Sequence, residues 1–184
     1  MMMNQQAVAV EKAIARLQDL GVNFLALDFD QTILSCHTGG RWPHSAEELL
    51  TFVRPQFQKL IPAAHQSQIH IAVVTYTAQI NLVRSVLESI VGPQAAEKIP
   101  IRGADRSWQY NGTGSTDGKQ PHIASAVEEL LTNASPSMNI TKKTTLLIDD
   151  DPRNIRHALN DGTRAIWFNP DKPDKLFESI IKLV

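Results

Sequence analysis

Residues 23–32 read NFLALDFDQT: four apolar side chains, Phe24 to Leu27, running into Asp28, Phe29, Asp30 and Thr32. A run this short, apolar at successive positions, predicts a strand buried on both faces, the pattern of a parallel sheet covered by helices. The same signature returns in QIHIAVVTY, where IAVV ends at Thr75, and in TTLLID, which ends at Asp149. KIPIRG and RAIWF add two shorter strand candidates.

Helical patterns separate these strands. Val8, Ile14, Leu17 and Leu20 recur at near-helical spacing before Gly21. Ser45 reads as the N-cap of a stretch AEELLTFVRPQFQKLI, with Glu48 completing a capping box and Pro55 kinking or splitting it. Leu82, Val83, Val86, Leu87 and Ile90 line one face of a helix over 79–91, stopped by Gly92-Pro93. Further helices are expected over 122–132, 154–160 and 175–184. Residues 33–44, with Gly39, Gly40 and Pro43, read as an irregular excursion, and 103–121, rich in Gly, Ser, Thr and Asp, as a loop or small hairpin. Alternating strands and helices make this an α/β chain, a Rossmann-like three-layer sandwich around a parallel sheet of about five strands.

The 184 residues suit a single domain: an N-terminal helix over 1–22, then the sheet, with 33–60 supplying only a flap and a helical segment. Lysine plus arginine number 18 against 19 acids, a formal charge of −1, so no charge footprint for nucleic acid or an anionic membrane is evident. Cys36 is the only cysteine, which precludes an intrachain disulfide and fits a reducing cytoplasm. Glu11, Lys12 and Arg16 interrupt the candidate signal stretch, and no run is apolar for the roughly 18 residues a membrane span needs. The expected location is cytoplasmic.

In open parallel sheets, ligands bind beyond the carboxyl ends of the strands, where Asp28, Thr75 and Asp149–Asp151 are expected. Two carboxylates about 4 Å apart repel by about 4 kcal/mol at an effective dielectric of about 20, so such a pair calls for a proton or a cation. Magnesium suits that need, using one or two carboxylates with substrate phosphate and water. A D-x-D alone reads first as a pair of solvated turn acids. Thr75 precedes a helix, where its hydroxyl and nearby N–H groups can hold a phosphoryl oxygen or merely cap the helix. Lys119, in DGKQPH, can neutralise a phosphoryl group, although a loop lysine is ordinarily just solvated. In DDDPRN, helix capping accounts for one acid and leaves two.

DFDQT, the threonine after IAVV, the lysine of DGKQ and the acids of LLIDDDPRN, taken in order, resemble the four motifs of the haloacid dehalogenase (HAD) superfamily, over about residues 23–170. The resemblance implies that Asp28 is a nucleophile forming an aspartyl-phosphate and that Asp30 is the general acid and base. It implies that Thr75 and Lys119 bind and stabilise the transferred phosphoryl group. It places magnesium on Asp28, the backbone carbonyl of Asp30 and Asp150, with Asp149 as a further ligand or lysine partner and Asp151 as a helix cap. The second acid of the first motif argues for phosphate-ester hydrolysis over carbon–halogen cleavage.

The gaps between motifs leave no room for a full cap domain. A capless or minimally capped phosphatase has an open site, which implies a macromolecular substrate such as a phosphoprotein or a nucleic-acid end, or a cap lent by another subunit; the expected partner is a phosphorylated substrate, small molecule or phosphoprotein. DD-x-P-x-N is similar to the fourth motif of capless magnesium-dependent phosphatases and polynucleotide phosphatases, but the residues after Thr32 depart from those families. A nucleic-acid-end phosphatase is weakened by the neutral charge, and a catalytically silent binding module by the intact motif set. Cys36, His37 and His44 do not supply the ligands of a zinc site. His122 reads as helix-terminal, Arg41 as exposed, and NGTGSTDGK as a hairpin tip. Trp42 and Trp108 line the site entrance or anchor their loops by burial.

Overall fold

The computed structural model describes residues 2–133 and 138–184, with side chains from residue 6 onward. Its centre is a sheet of five parallel strands among the described residues: β1 (Phe24–Leu27), β2 (His70–Val74), β3 (Ile101–Arg102), β4 (Thr145–Asp149) and β5 (Arg164–Trp167). The spatial order is β3-β2-β1-β4-β5. Phe24 pairs with His70 on one side and Thr145 on the other, and the register continues to Leu27 opposite Val73 and Ile148.

Strand periodicity divides the core into two layers. Leu25, Leu27, Ile71, Val73, Leu146 and Ile148 face one side, joining α1 (Met2–Asp19), α3 (Pro55–Gln66), α4 (Ile80–Val91) and α8 (Leu176–Ile181). Phe24, Ala26, Ala72, Val74 and Leu147 face the other, against α6 (Gln120–Thr132) and α7 (Pro152–Asn160). Neighbours on one strand therefore enter opposite cores. Full burial of a side chain such as Leu27 contributes about 1.5–3 kcal/mol. The α/β class, the central parallel sheet and its two helical layers agree with the sequence reading.

The 33–60 segment is built into one helical layer. After β1 the chain makes a tight turn over Phe29–Ile33, bridges Leu34 to Val53, and forms α2 (Ala46–Leu50) and then α3. Pro55 splits the predicted helix by taking the first position of α3, where its missing N–H costs nothing. Ser45 Oγ accepts the Glu48 N–H at 3.1 Å, but the box is only half made, because the Glu48 carboxylate turns to His44 Nδ1 at 3.4 Å. Trp42 anchors the excursion: its indole donates to Ser45 O at 3.0 Å and its ring meets Phe52 edge-on.

Other boundaries differ locally. A short helix, α5 (Pro93–Glu97), follows Gly92, and α7 starts two residues earlier than expected, at Pro152. Residues 103–119 contain no strand among the described residues, so the predicted hairpin tip is a loop, tied by the Gly114 N–H to the Tyr110 hydroxyl at 2.7 Å. Turn-rich composition marks a chain reversal, whereas a hairpin also needs alternating apolar flanks to pair. Among the described residues, no helix is long and apolar enough to cross a membrane.

Candidate active site

The chain runs from β1 outward through β2 to β3, then returns to place β4 on the other flank of β1. The switch point lies between β1 and β4, where the chain leaves the sheet in opposite directions and a crevice opens. Asp28 follows β1 at this point, and beside it Asp149 ends β4 and Asp150 follows. A cleft of about 280 Å3 opens there, with Asp28, Asp30, Thr75, Asp149 and Asp150 in its walls. Lys119 reaches Asp28 from the N-terminus of α6, so all six residues named from the sequence converge.

Lys119 is buried. Its ammonium donates to Asp28 Oδ1 at 2.7 Å and to the Val74 carbonyl at 2.6 Å, and lies 3.6 Å from Asp149 Oδ2. The Tyr76 ring covers it, 4.5 Å from nitrogen to centroid. Burial alone would lower the lysine pKa, but the facing carboxylates of Asp28 and Asp149 outweigh it and hold the pKa above its usual value. The lysine is a fixed cation. Its approach depends on Gly118, whose φ of +56° favours glycine and whose added Cβ would lie 3.2 Å from Asn154 Oδ1 and from His157.

Oxygens of Asp28, Asp149 and Asp150 lie within 4.8 Å of one another. At an effective dielectric of about 20, each like-charged pair at that separation costs about 3.5 kcal/mol, which one lysine offsets only in part. Burial, reinforced by Asp28, raises the pKa of Asp149 and pushes Asp150 up to about 6. Asp149 is otherwise well served: it accepts the Asp151 N–H at 2.8 Å and the Asn154 amide at 3.0 and 3.2 Å. Asp150 has only a long hydrogen bond from Thr32 Oγ1, 3.4 Å, among the described side chains. Three hard oxygen donors with this charge excess could hold a metal cation, and Asp150 is the carboxylate most in need of one. Asp151 caps α7 instead, accepting the Arg153 N–H at 2.8 Å.

Asp30 stands outside that trio. Its carboxylate turns to the flap, Oδ1 accepting the Thr38 N–H at 3.1 Å and Oδ2 the Thr38 hydroxyl at 3.0 Å. Burial raises its pKa against the lowering effect of these two hydrogen bonds. The turn that carries it puts Gln31 at a φ of +60°. Arg54 supports this turn, donating to the carbonyls of Leu34 (3.2 Å), Pro170 (3.3 Å) and Gln31 (3.4 Å).

Thr75 is buried in the cleft wall. Its N–H is committed to Arg102 O at 2.8 Å, and its Oγ1 accepts the Thr77 N–H at 3.2 Å. The hydroxyl proton is what it can offer an oxyanion. His122 does not reach the cleft; it is packed by Trp108 (4.6 Å between centroids) and Tyr76 (5.3 Å). Trp108 thus anchors its loop, with its indole on Gly103 O at 2.7 Å. Arg41 is exposed, as read, and Cys36 is partly buried within the flap.

Thr32, Thr38, Arg54, Tyr76 and Asn154 are participants the sequence reading passed over. Asn154 and Thr32 lie inside quoted motifs and carried a signal through their polar type next to the acids. The contacts of Arg54 arise from packing between separate segments, and that of Thr38 from the path of an irregular loop.

No family model and no curated protein matches the chain. Among solved structures, the chain is similar to an uncharacterized protein from Corynebacterium glutamicum, with a TM-score of 0.50 and 13% sequence identity. The match covers 89% of this chain and 97% of that one. It is a likeness of fold.

Proposed function

We propose that the chain is a magnesium-dependent phosphatase of the HAD type, hydrolysing phosphate monoesters, protein phosphate included, through an aspartyl-phosphate. The observation carrying this reading is the position of Asp28 at the switch point. There it faces the buried Lys119 at 2.7 Å and shares a carboxylate cluster with Asp149 and Asp150. A solvated turn acid would need none of these neighbours.

In the proposed reaction a carboxylate oxygen of Asp28 attacks phosphorus and the bond to the leaving oxygen breaks. The Asp30 carboxyl gives its proton to that leaving oxygen. Asp30 then takes a proton from water, whose oxygen attacks phosphorus, releasing inorganic phosphate and restoring Asp28. Lys119 and the Thr75 hydroxyl offset charge on the phosphoryl oxygens. Asp28, the Asp30 carbonyl and Asp150 would hold magnesium, which when bound supplies positive charge against those same oxygens. A cytoplasmic location belongs to this proposal and rests on the single cysteine, Cys36.

Hydrolysis of p-nitrophenyl phosphate, then of metabolites, phosphopeptides and 3′-phosphorylated oligonucleotides, tests the reading with Asp28→Asn as the blank. Turnover that needs magnesium, stops with EDTA and is absent from Asp28→Asn is the expected result. Turnover surviving that substitution overturns the mechanism. Magnesium binding without turnover on any ester would make the chain a binding module.

A further inference from the structure

Thr38 is the one buried residue in an otherwise solvent-facing part of the flap. His37, Gly39, Gly40 and Arg41 around it are all exposed, while Thr38 keeps 3% of its surface. An apolar contact does not explain this, because both polar hydrogens of the residue are spent on one carboxylate. The backbone N–H goes to Asp30 Oδ1 and the hydroxyl to Asp30 Oδ2. Two donors from a single residue, one on each oxygen, fix both side-chain torsions of the aspartate. They also leave each oxygen a second lone pair, and Asp30 itself lines the cleft. The neighbouring His37 Nδ1 lies 3.4 Å from Oδ2 but already accepts the Gly39 N–H at 3.0 Å, so it has no hydrogen to donate from that atom. Positive φ at Gly39 and Gly40, +66° and +82°, turns the chain back immediately after Thr38. That reversal lets a flap residue point inward without burying the flap.

We infer that Thr38 is a positioning residue for proton transfer, presenting the Asp30 carboxyl to the leaving oxygen and thereby coupling the seating of the flap to cleavage of esters with poor leaving groups. The inference rests on the phosphatase reading above. Proton donation matters for an alkoxide leaving group and hardly at all for p-nitrophenolate, which departs as a stable anion. The positioning role therefore has a signature in leaving-group dependence that a role in folding lacks.

The experiment compares kcat/KM for p-nitrophenyl phosphate and for a simple alkyl phosphate, with saturating magnesium, in wild type, Thr38→Val and Thr38→Ser. Valine keeps the shape and the backbone N–H and deletes the hydroxyl; serine restores the hydroxyl. In Thr38→Val the alkyl ester should lose about 10- to 100-fold, part of the 10²–10⁴-fold typical of a general acid, and the aryl ester under about threefold. Thr38→Ser should return both to near wild type. Equal losses on the two esters, or no rescue by serine, would show Thr38 to be structural and overturn the proposal. Amide exchange supplies a readout free of turnover: the Thr38 N–H should exchange slowly in wild type and faster in Asp30→Ala. An unchanged rate overturns the tether even if the enzyme is active. Wild type that turns over neither ester overturns the phosphatase reading and this inference with it, whatever the exchange rates.

Discussion

The Lys119 ammonium donates to the Asp28 carboxylate at 2.7 Å, with 1% of the lysine side chain and 9% of the aspartate side chain exposed. Deleting either member of a buried pair leaves the other uncompensated, typically at about 3–5 kcal/mol. The two deletions differ here because Asp149 also faces the lysine. Asp28→Asn leaves Lys119 with a carboxylate partner and should destabilise little while abolishing turnover. Lys119→Met leaves Asp28 and Asp149 facing each other and should approach the full about 3–5 kcal/mol. Combining both substitutions should recover part of that loss. Urea unfolding of the four proteins reads the cycle, and equal destabilisation by both single changes would contradict it.

Adjacent acids should behave differently toward magnesium. Asp150 has one long hydrogen bond from Thr32, whereas Asp151 caps α7 and pairs with Arg153 at 2.7 Å. Burial pushes the first carboxyl up, and the arginine hydrogen bond pulls the second down. Calorimetric titration should show Asp150→Asn weakening magnesium binding by about tenfold or more, at least 1.4 kcal/mol. Asp151→Asn should leave affinity within about twofold, and because asparagine also caps it should change stability by well under the about 1 kcal/mol of a lost cap. Equal effects on affinity would remove Asp150 from the ligand set.

The strands were legible because burial on both faces writes itself as consecutive apolar residues, and the acids stood out by ending those runs. Asp28, Asp30, Asp149 and Asp150 were therefore findable from local pattern. Lys119 was not: DGKQ is an ordinary loop sequence, and only the ordered resemblance singled it out. The contact of Arg54 with Pro170 depends on how distant segments pack, that of Thr38 with Asp30 on how an irregular eight-residue loop turns back, and neither leaves a periodicity in the chain. Composition also misled. Residues 111–119 looked like a hairpin tip because glycine marks a reversal, yet β3 is only two residues long at the sheet edge and offers no antiparallel partner.

Gly118 should be intolerant of substitution although it carries no chemistry. Its φ of +56° costs an L-residue about 1–2 kcal/mol, and a Cβ would press on Asn154 and His157 at 3.2 Å. Asn154 holds both oxygens of Asp149, so the displacement reaches the site. Gly118→Ala should lower stability by about 1–2 kcal/mol and also lower kcat, because Lys119 is the next residue. The control is Gly21→Ala, also at positive φ (+69°) but with nothing within 4 Å: it should cost stability and spare kcat. A Gly118→Ala enzyme with wild-type kcat would show that the lysine is placed independently of this turn.

His122 gives the fold an acid-sensitive contact that can be separated from the carboxylates. Burial, with Lys119 and Arg102 adding like charge, lowers its pKa to about 4, and its Nδ1 has no hydrogen-bond partner among the described residues. An unfolded histidine titrates near 6.5, so between about 4 and 6.5 the unfolded chain binds the extra proton. Stability from this group is complete above about 6.5 and falls with falling pH, at up to about 1.4 kcal/mol per pH unit. The raised carboxyls of Asp30, Asp149 and Asp150 act in the opposite sense, since the folded state holds their protons to higher pH and loses stability as pH rises through their folded pKa values. The net curve mixes the two signs, so the histidine is read by difference. His122→Phe keeps an aromatic ring between Trp108 and Tyr76 and removes the titration. Urea midpoints at pH 4.5, 5.5 and 7 should converge less steeply toward acid in the variant, so the wild-type-minus-variant stability becomes more negative as pH drops. A difference independent of pH would mean that His122 takes up its proton without leaving its aromatic contacts.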